Sequence, residues 1–185
     1  MIIGACWDDD AGSNAGAAYI YTRAGDAWTE TTKLLAGDGN DNDWLSEAVA
    51  ISGNTAIVGS VRHNATCCAI SQGAAYVYIR NGGTWSEQAI LTASDKSGSD
   101  QFGASVAVNG DKIVVGAFGT GHVGTNSGTA YIFSRTGTTW TQEPLITAFD
   151  AAATVRCPSA TSPQSPRLSD QRRLTVLMEK VVLWT

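Results

Sequence analysis

The residues able to do chemistry sit in a few short loops. Asp8-Asp9-Asp10-Ala11-Gly12-Ser13-Asn14 is the most acidic of them, and clustered carboxylates could give oxygen ligands to Ca²⁺. It lacks a bidentate Glu at a suitable distance and does not follow the helix–loop–helix calcium spacing, so a solvated loop is the preferred reading. Asp38, Asp41 and Asp43, with Asn40 and Asn42, make a second acidic loop. The matching stretch from Asp95 to Asp100 is less acidic, so a metal role would belong to one segment only, and solvation is again preferred. His63, Cys67 and Cys68 share a third loop. Zinc needs four converging ligands, adjacent cysteines chelate one ion poorly, and the spacing matches no standard pair of chelating hooks. A disulfide from Cys6 to Cys67 or Cys68 is a better expectation than zinc, with free thiols as the default. Cys157 completes the four cysteines, whose redox state the sequence leaves open.

Hydrolytic and phosphate-binding chemistry find no support. The only histidines are His63 and His122, and no Gly-x-Ser-x-Gly elbow is present. Gly119-Thr120-Gly121-His122-Val123-Gly124 meets the bare dinucleotide spacing, but it leads into a strand, so no helix N-terminus is available for a phosphate. The expectation is therefore a non-enzymatic chain with no catalytic, cofactor-binding or metal-ligating residues.

The elements that carry these loops repeat. Gly16-Ala17-Ala18-Tyr19-Ile20-Tyr21 matches Gly73 to Tyr78, and both match Gly128-Thr129-Ala130-Tyr131-Ile132-Phe133. Trp28, Trp85 and Trp140 recur at the same spacing of 57 and then 55 residues, each followed by Thr or Ser. Ile3-Gly4-Ala5 matches Val58-Gly59-Ser60 and Val115-Gly116-Ala117, which also makes Cys6 the counterpart of Val61. Several independent anchors agreeing on one period indicate a repeat architecture. Within the third unit, Ser105–Val108 and Lys112–Ala117 read as strands around the tight turn Asn109-Gly110-Asp111. A Gly-rich loop follows from Phe118 to Gly128, then strands over Thr129–Arg135 and Thr139–Thr147 around Thr136-Gly137-Thr138. Ile113-Val114-Val115 and Ala130 to Phe133 are apolar at consecutive positions, which predicts strands buried on both faces, as in face-to-face stacked sheets. Small residues at Gly116, Ala117, Gly128 and Ala130 would let neighbouring backbones approach closely. The 20 glycines, with 43% apolar and only 16% charged residues, fit an all-β chain rich in turns.

The third unit, with Asp100-Gln101-Phe102-Gly103-Ala104-Ser105-Val106 and then Val115-Gly116-Ala117-Phe118, resembles the FG-GAP repeat, and the following Gly-x-Ala-Tyr and Trp-Thr are similar to its bacterial variety. That repeat builds the seven-bladed β-propeller of integrin α-chains and of many bacterial surface or secreted proteins. The resemblance covers residues 1–148, about two and three-quarter units. It implies a partial β-propeller of about three four-stranded antiparallel blades, and an extracellular or cell-surface location. This sequence departs from the motif in places. Cys6, Val61 or Phe118 stands where the motif has Pro, and Leu45-Ser46 stands where it has Phe-Gly. The integrin-type Asp-x-Asp-x-Asp-Gly calcium loop is replaced by the short turns Ser52-Gly53-Asn54 and Asn109-Gly110-Asp111, so calcium is not carried over from the family.

Residues 149–185 read as an atypical, irregular tail, disordered or frameshifted. All 20 glycines precede residue 138, while Pro158, Pro163 and Pro166 lie in the tail. Residues 1–148 carry seven basic and fourteen acidic side chains, net −7; the tail carries five and three, net +2. A fourth unit opens at Ala148-Phe149-Asp150-Ala151 and then vanishes, which fits a reading-frame change; an irregular tail with a short helix near Leu174 to Leu183 is the alternative. The net charge of −5 gives no electrostatic reason to bind nucleic acid. No apolar run approaches the roughly 18 residues of a membrane span, and no signal peptide precedes Ile2.

Invariant strands with variable loops at 8–14, 61–72 and 118–127 suggest a binding or adhesion module, a fragment of a larger protein, whose partner is a protein or glycan. The alternatives are an appendage of a secreted hydrolase and a structural spacer. Three blades would leave open edges and bare faces, so self-association is also expected.

Overall fold

The structure, a computed structural model, describes residues 1–63, 71–120 and 128–145. Cys67, Cys68, His122, Cys157, the glycine-spaced stretch from Gly121 to Gly124 and the tail 149–185 lie outside these residues.

Every regular element among the described residues is a strand, and no helix among them is long and apolar enough to cross a membrane. Blade 1 holds β1 (Ile2–Ala5), β2 (Ala17–Ala24) and β3 (Ala27–Leu34). Blade 2 holds β4 (Leu45–Ser52), β5 (Thr55–Ser60), β6 (Ala74–Asn81) and β7 (Thr84–Leu91). Blade 3 holds β8 (Phe102–Asn109), β9 (Lys112–Ala117), β10 (Thr129–Thr136) and β11 (Thr139–Gln142). Each blade is an antiparallel meander in sequence order, β1-β2-β3, β4-β5-β6-β7 and β8-β9-β10-β11. β1 stands in blade 1 where β5 and β9 stand in the others, so the first sheet has three strands. The chain is thus all-β, with the architecture of a partial β-propeller.

Local sequence accounts for the meanders. β-Branched and aromatic residues fill β5, β6, β9 and β10. The hairpin between β8 and β9 pairs Asn109 with Lys112, and Gly110 sits in the left-handed region (φ 57) that such two-residue turns require. The last strand is shorter than the sequence suggests: β11 ends at Gln142, and Thr147 lies outside the described residues.

The blades stack face to face, each with a front face turned to the next blade and a rear face turned to the one before. The front of blade 1 (Ala18, Ile20, Leu34) packs on the rear of blade 2 (Ala56, Val58, Tyr76, Tyr78, Trp85). The front of blade 2 (Ile57, Ala75, Val77, Leu91) packs on the rear of blade 3 (Ile113, Val115, Tyr131, Phe133). Two-sided covering leaves all six residues of β5 buried. Each fully buried apolar side chain in these layers contributes about 1.5–3 kcal/mol.

Blade 3 departs from the two-sided burial predicted for it. Along β9 and β10 burial alternates: Ile113, Val115, Tyr131 and Phe133 are buried, whereas Val114, Ala130 and Ile132 are half-buried. The rear face meets blade 2, and no further sheet of the described residues lies against the front.

The motif residues acquire physical roles here. Leu45 and Phe102 are both buried, and each forms a parallel bridge to a glycine of the preceding blade, Gly16 and Gly73. A Cβ on Gly73 would lie 2.1 Å from the Phe102 carbonyl oxygen, so only glycine fits between the blades. The predicted close approach at Gly128 is not made among the described residues, where the nearest atom to its Cβ position is 3.8 Å away. Gly103 and its counterpart Ser46 lie in register shifts of β8 and β4, both at positive φ (95 and 81). Ser46 therefore carries backbone strain that Gly103 avoids, and its buried Oγ has no hydrogen-bond partner among the described residues.

Candidate functional site

The turns after β1, β5 and β9 and the segments before β4 and β8 gather at one end of the blades. Beneath them lies a layer of polar braces. In blade 2, the Tyr76 hydroxyl donates to Asp38 Oδ1 at 2.8 Å, and His63 Nδ1 lies 2.9 Å from the Tyr76 oxygen and 3.3 Å from Asp43 Oδ2. Tyr76 has one hydroxyl hydrogen and both carboxylates only accept, so Nδ1 carries the imidazole proton and is shared between Asp43 and the Tyr76 oxygen. Nε2 then faces Asp38 Oδ2 at 3.8 Å. Hydrogen bonding to Asp43 raises the His63 pKa above the ordinary imidazole value, against burial, which lowers it. Burial, together with Asp38, pushes the Tyr76 hydroxyl far up, so it stays protonated and a donor.

The brace recurs with different chemistry. In blade 3, the Tyr131 hydroxyl donates to Asp95 Oδ1 at 3.0 Å, and the position of His63 is taken by Thr120, whose hydroxyl bonds Thr129 Oγ1 and the Ala117 carbonyl. In blade 1 the position is Asp8, which accepts from Tyr19 and from Lys33 Nζ at 2.7 Å. Lys33 also pairs with Asp10, and these two carboxylates hold its pKa well above the usual lysine value despite desolvation.

The predicted acidic loops are therefore engaged internally. Asp9 accepts from the Asn14 amide, Asp41 from the Ser13 amide, Asp43 from the Asn40 amide and Asp100 from the Ser97 amide. Among the described residues no three His, Cys, Asp or Glu side chains stand together to hold a metal ion. Cys6 is half-buried beside Glu47, and burial first, then that carboxylate, raises its thiol pKa; its expected bridge to Cys67 or Cys68 lies outside the described residues.

Above the braces the surface is aromatic. Trp7 is 69% exposed and Phe118 59%. The Arg62 guanidinium stacks 3.5 Å above the Trp44 ring. Trp44, Glu47, Val61, Arg62, Gln101, Ala104 and Phe118 line a groove of about 240 Å³ between blades 2 and 3. Trp44 and Gln101 occupy equivalent places in the two segments, and both have positive φ (55 and 54). A bulky residue in that region is strained, and both segments accept that strain to make the same turn at the groove rim. The groove offers a π face, a guanidinium, a carboxylate and an amide, the chemistry of stacking and hydrogen-bonded recognition.

In the sequence Phe118 stands out as a departure from a motif and as the start of a variable loop, whereas Trp7, Trp44 and Arg62 carry no such signal. The sequence also separates Asp38 and Asp43 from His63, which the fold joins. A signal for the brace was present: Asp38 and Asp95 differ by the repeat spacing of 57. A second recurrent pair was equally legible. Arg23, Arg80 and Arg135 each stand five residues before a Trp and lie over its ring at 5.8, 5.7 and 5.2 Å, because the outer hairpin pairs them directly across the strands.

The model of the family described as FG-GAP repeat matches residues 1–21, 28–78 and 85–133. No curated protein matches the sequence.

Proposed function

This chain belongs to the FG-GAP repeat family, and from that premise we propose that it is a non-enzymatic binding and adhesion module of a secreted or cell-surface protein, taking a protein or glycan ligand on the aromatic end of its blades. One observation carries this reading. The scaffold repeats while the surface above it does not. Tyr19, Tyr76 and Tyr131 each donate a hydroxyl hydrogen bond to an aspartate, but the positions above them read Cys6, Val61, Phe118 and Trp7, Arg62, Gly119 from blade to blade, of which Trp7, Arg62 and Phe118 are exposed. A surface kept only for folding would repeat with the strands; one that recognises an irregular ligand would vary.

Exposed Trp and Arg are the residue types that dominate binding energy at interfaces. The chain, screened against arrays of glycans and of extracellular-matrix proteins, should find a ligand that the variant Trp7→Ala with Phe118→Ala loses by at least about tenfold in Kd, roughly 1.4 kcal/mol. Equal binding by the variant, or no ligand on either array, would overturn the proposal.

A further inference from the structure

All four arginines among the described residues lie over a tryptophan ring, but only three of them also have a side-chain acceptor. Arg23 donates to Asp26 at 3.2 Å. Arg80 donates from Nε and Nη2 to Asn54 Oδ1 at 3.0 and 2.8 Å. Arg135 donates from Nε to Asp111 Oδ1 at 2.7 Å. Arg62 makes the closest stack, 3.5 Å above Trp44, and its guanidinium has no acceptor among the described residues. The indole covers one face of that guanidinium and leaves the N–H edge, a fork that matches a planar carboxylate. Arg62 is exposed and lines the groove between blades 2 and 3.

The fold fixes this group at two levels. Below, the buried pair Asp43 and His63 is joined through the imidazole, and the Arg62 amide donates to the Asp43 carbonyl at 3.3 Å. Above, their chain neighbours Trp44 and Arg62 stack. A guanidinium held in this way loses little freedom when it takes a ligand.

We infer that the groove binds a hexuronic acid residue of a glycan, with the sugar carboxylate on Arg62. The inference rests on the binding reading given above and narrows its ligand to an acidic sugar. The other lining groups favour a sugar over an acidic protein side chain. Glu47 lines the groove without pairing with Arg62. Its carboxylate accepts, and the Gln101 amide both donates and accepts, which serves the hydroxyls that flank a sugar carboxylate. Phe118, with its ring exposed, offers an apolar face to the C–H side of a pyranose. The groove, about 240 Å³, holds a whole six-membered ring, whereas an Asp or Glu side chain would leave most of it to water. Glu47 and the net −7 of residues 1–148 oppose a phosphate, which carries about −1.5 to −2. A carboxylate brings a single negative charge, which Arg62 neutralises.

The test is calorimetric titration of the whole 185-residue chain with trisaccharides of galacturonate, mannuronate and glucuronate, each as free acid and as methyl ester, and with triglutamate. At least one free uronate should bind with a Kd tighter than about 1 mM. Its ester keeps the ring, loses the charge and should bind at least about tenfold more weakly. Arg62→Lys keeps the charge but loses the fork, so it should weaken binding of the acid by about tenfold and leave the ester unchanged. Phe118→Ala should weaken both forms alike. Circular dichroism melts check that the variants fold. Should Arg62→Lys fail, Glu47→Gln takes its place and should widen the preference for acid over ester, because it removes a like charge from the groove. The inference is overturned if none of the three free uronates binds, if ester and acid bind equally, if Arg62→Lys binds like the wild type, or if triglutamate binds more tightly than every uronate. A neutral glycan or a protein that depends on Phe118 and ignores Arg62 would also overturn it, while leaving the aromatic end standing as a binding surface.

Discussion

Blade 2 and blade 3 are built from nearly the same words. β5 reads Thr-Ala-Ile-Val-Gly-Ser and β9 reads Lys-Ile-Val-Val-Gly-Ala; β6 carries Ala-Tyr-Val-Tyr where β10 carries Ala-Tyr-Ile-Phe. Yet β5 is buried at every position, while β9 and β10 alternate between buried and half-buried. Glycines follow the same split: Gly73 lies against the Phe102 carbonyl, whereas the Cβ position of its counterpart Gly128 meets no atom of the described residues closer than 3.8 Å. A consecutive apolar run therefore encodes the capacity for two-sided burial. Whether that capacity is used depends on a second sheet, which the strand itself does not specify.

The sharpest way to break this comparison removes the same carbons from the two front faces. Ile57→Ala should destabilise the chain by about 4 kcal/mol, because a fully enclosed site collapses poorly around the cavity. Ile132→Ala, measured by denaturant unfolding in dilute solution, should cost about 1 kcal/mol, since the half-buried site has solvent on one side. Equal losses would mean that the front of blade 3 is covered after all.

A smaller effect separates the glycines. Alanine at either Gly73 (φ 82) or Gly128 (φ 76) incurs about 1–2 kcal/mol for the left-handed backbone. Gly73→Ala must also displace the Phe102 carbonyl, adding about 1–3 kcal/mol of overpacking. Thermal melts should therefore rank Gly73→Ala well below Gly128→Ala, and an inverted order would remove the close-approach argument.

The smallest expected effect concerns the braces. His63 in blade 2 has a folded pKa raised by Asp43, whereas Thr120 in blade 3 does not titrate. A group favoured in its protonated form by folding gives its full stabilisation below the unfolded value, near about 6.5. That stabilisation fades as pH rises through the higher folded value. Asp38, Asp43 and Tyr76 face the ring and Lys96 acts against its charge. Melting temperatures of the wild type should fall across that window more than those of His63→Thr; parallel curves would show that the brace is indifferent to the proton.

Much of the fold is legible in the order of the amino acids. Hairpin turns at Gly53 and Gly110, the strand at Lys112–Ala117 and the period itself depend on backbone preferences and alternation over a few residues. The sites are less legible. Asp38 and His63 lie 25 residues apart and read as members of two different loops; Tyr76 stands in the sequence only as part of a recurrent strand segment. Only the folded blade shows that its ring is buried while its hydroxyl gathers both loops.

Local chain chemistry settles the repeat, the order of the strands and the residue types on each face, because those follow from short-range backbone sterics and side-chain periodicity. The stack of sheets decides the rest: which apolar faces are dry, which glycines are crowded, and which loop residues meet at the Trp44–Arg62 groove. Burial and convergence depend on what lies across the interface, and that partner comes from residues a whole repeat away.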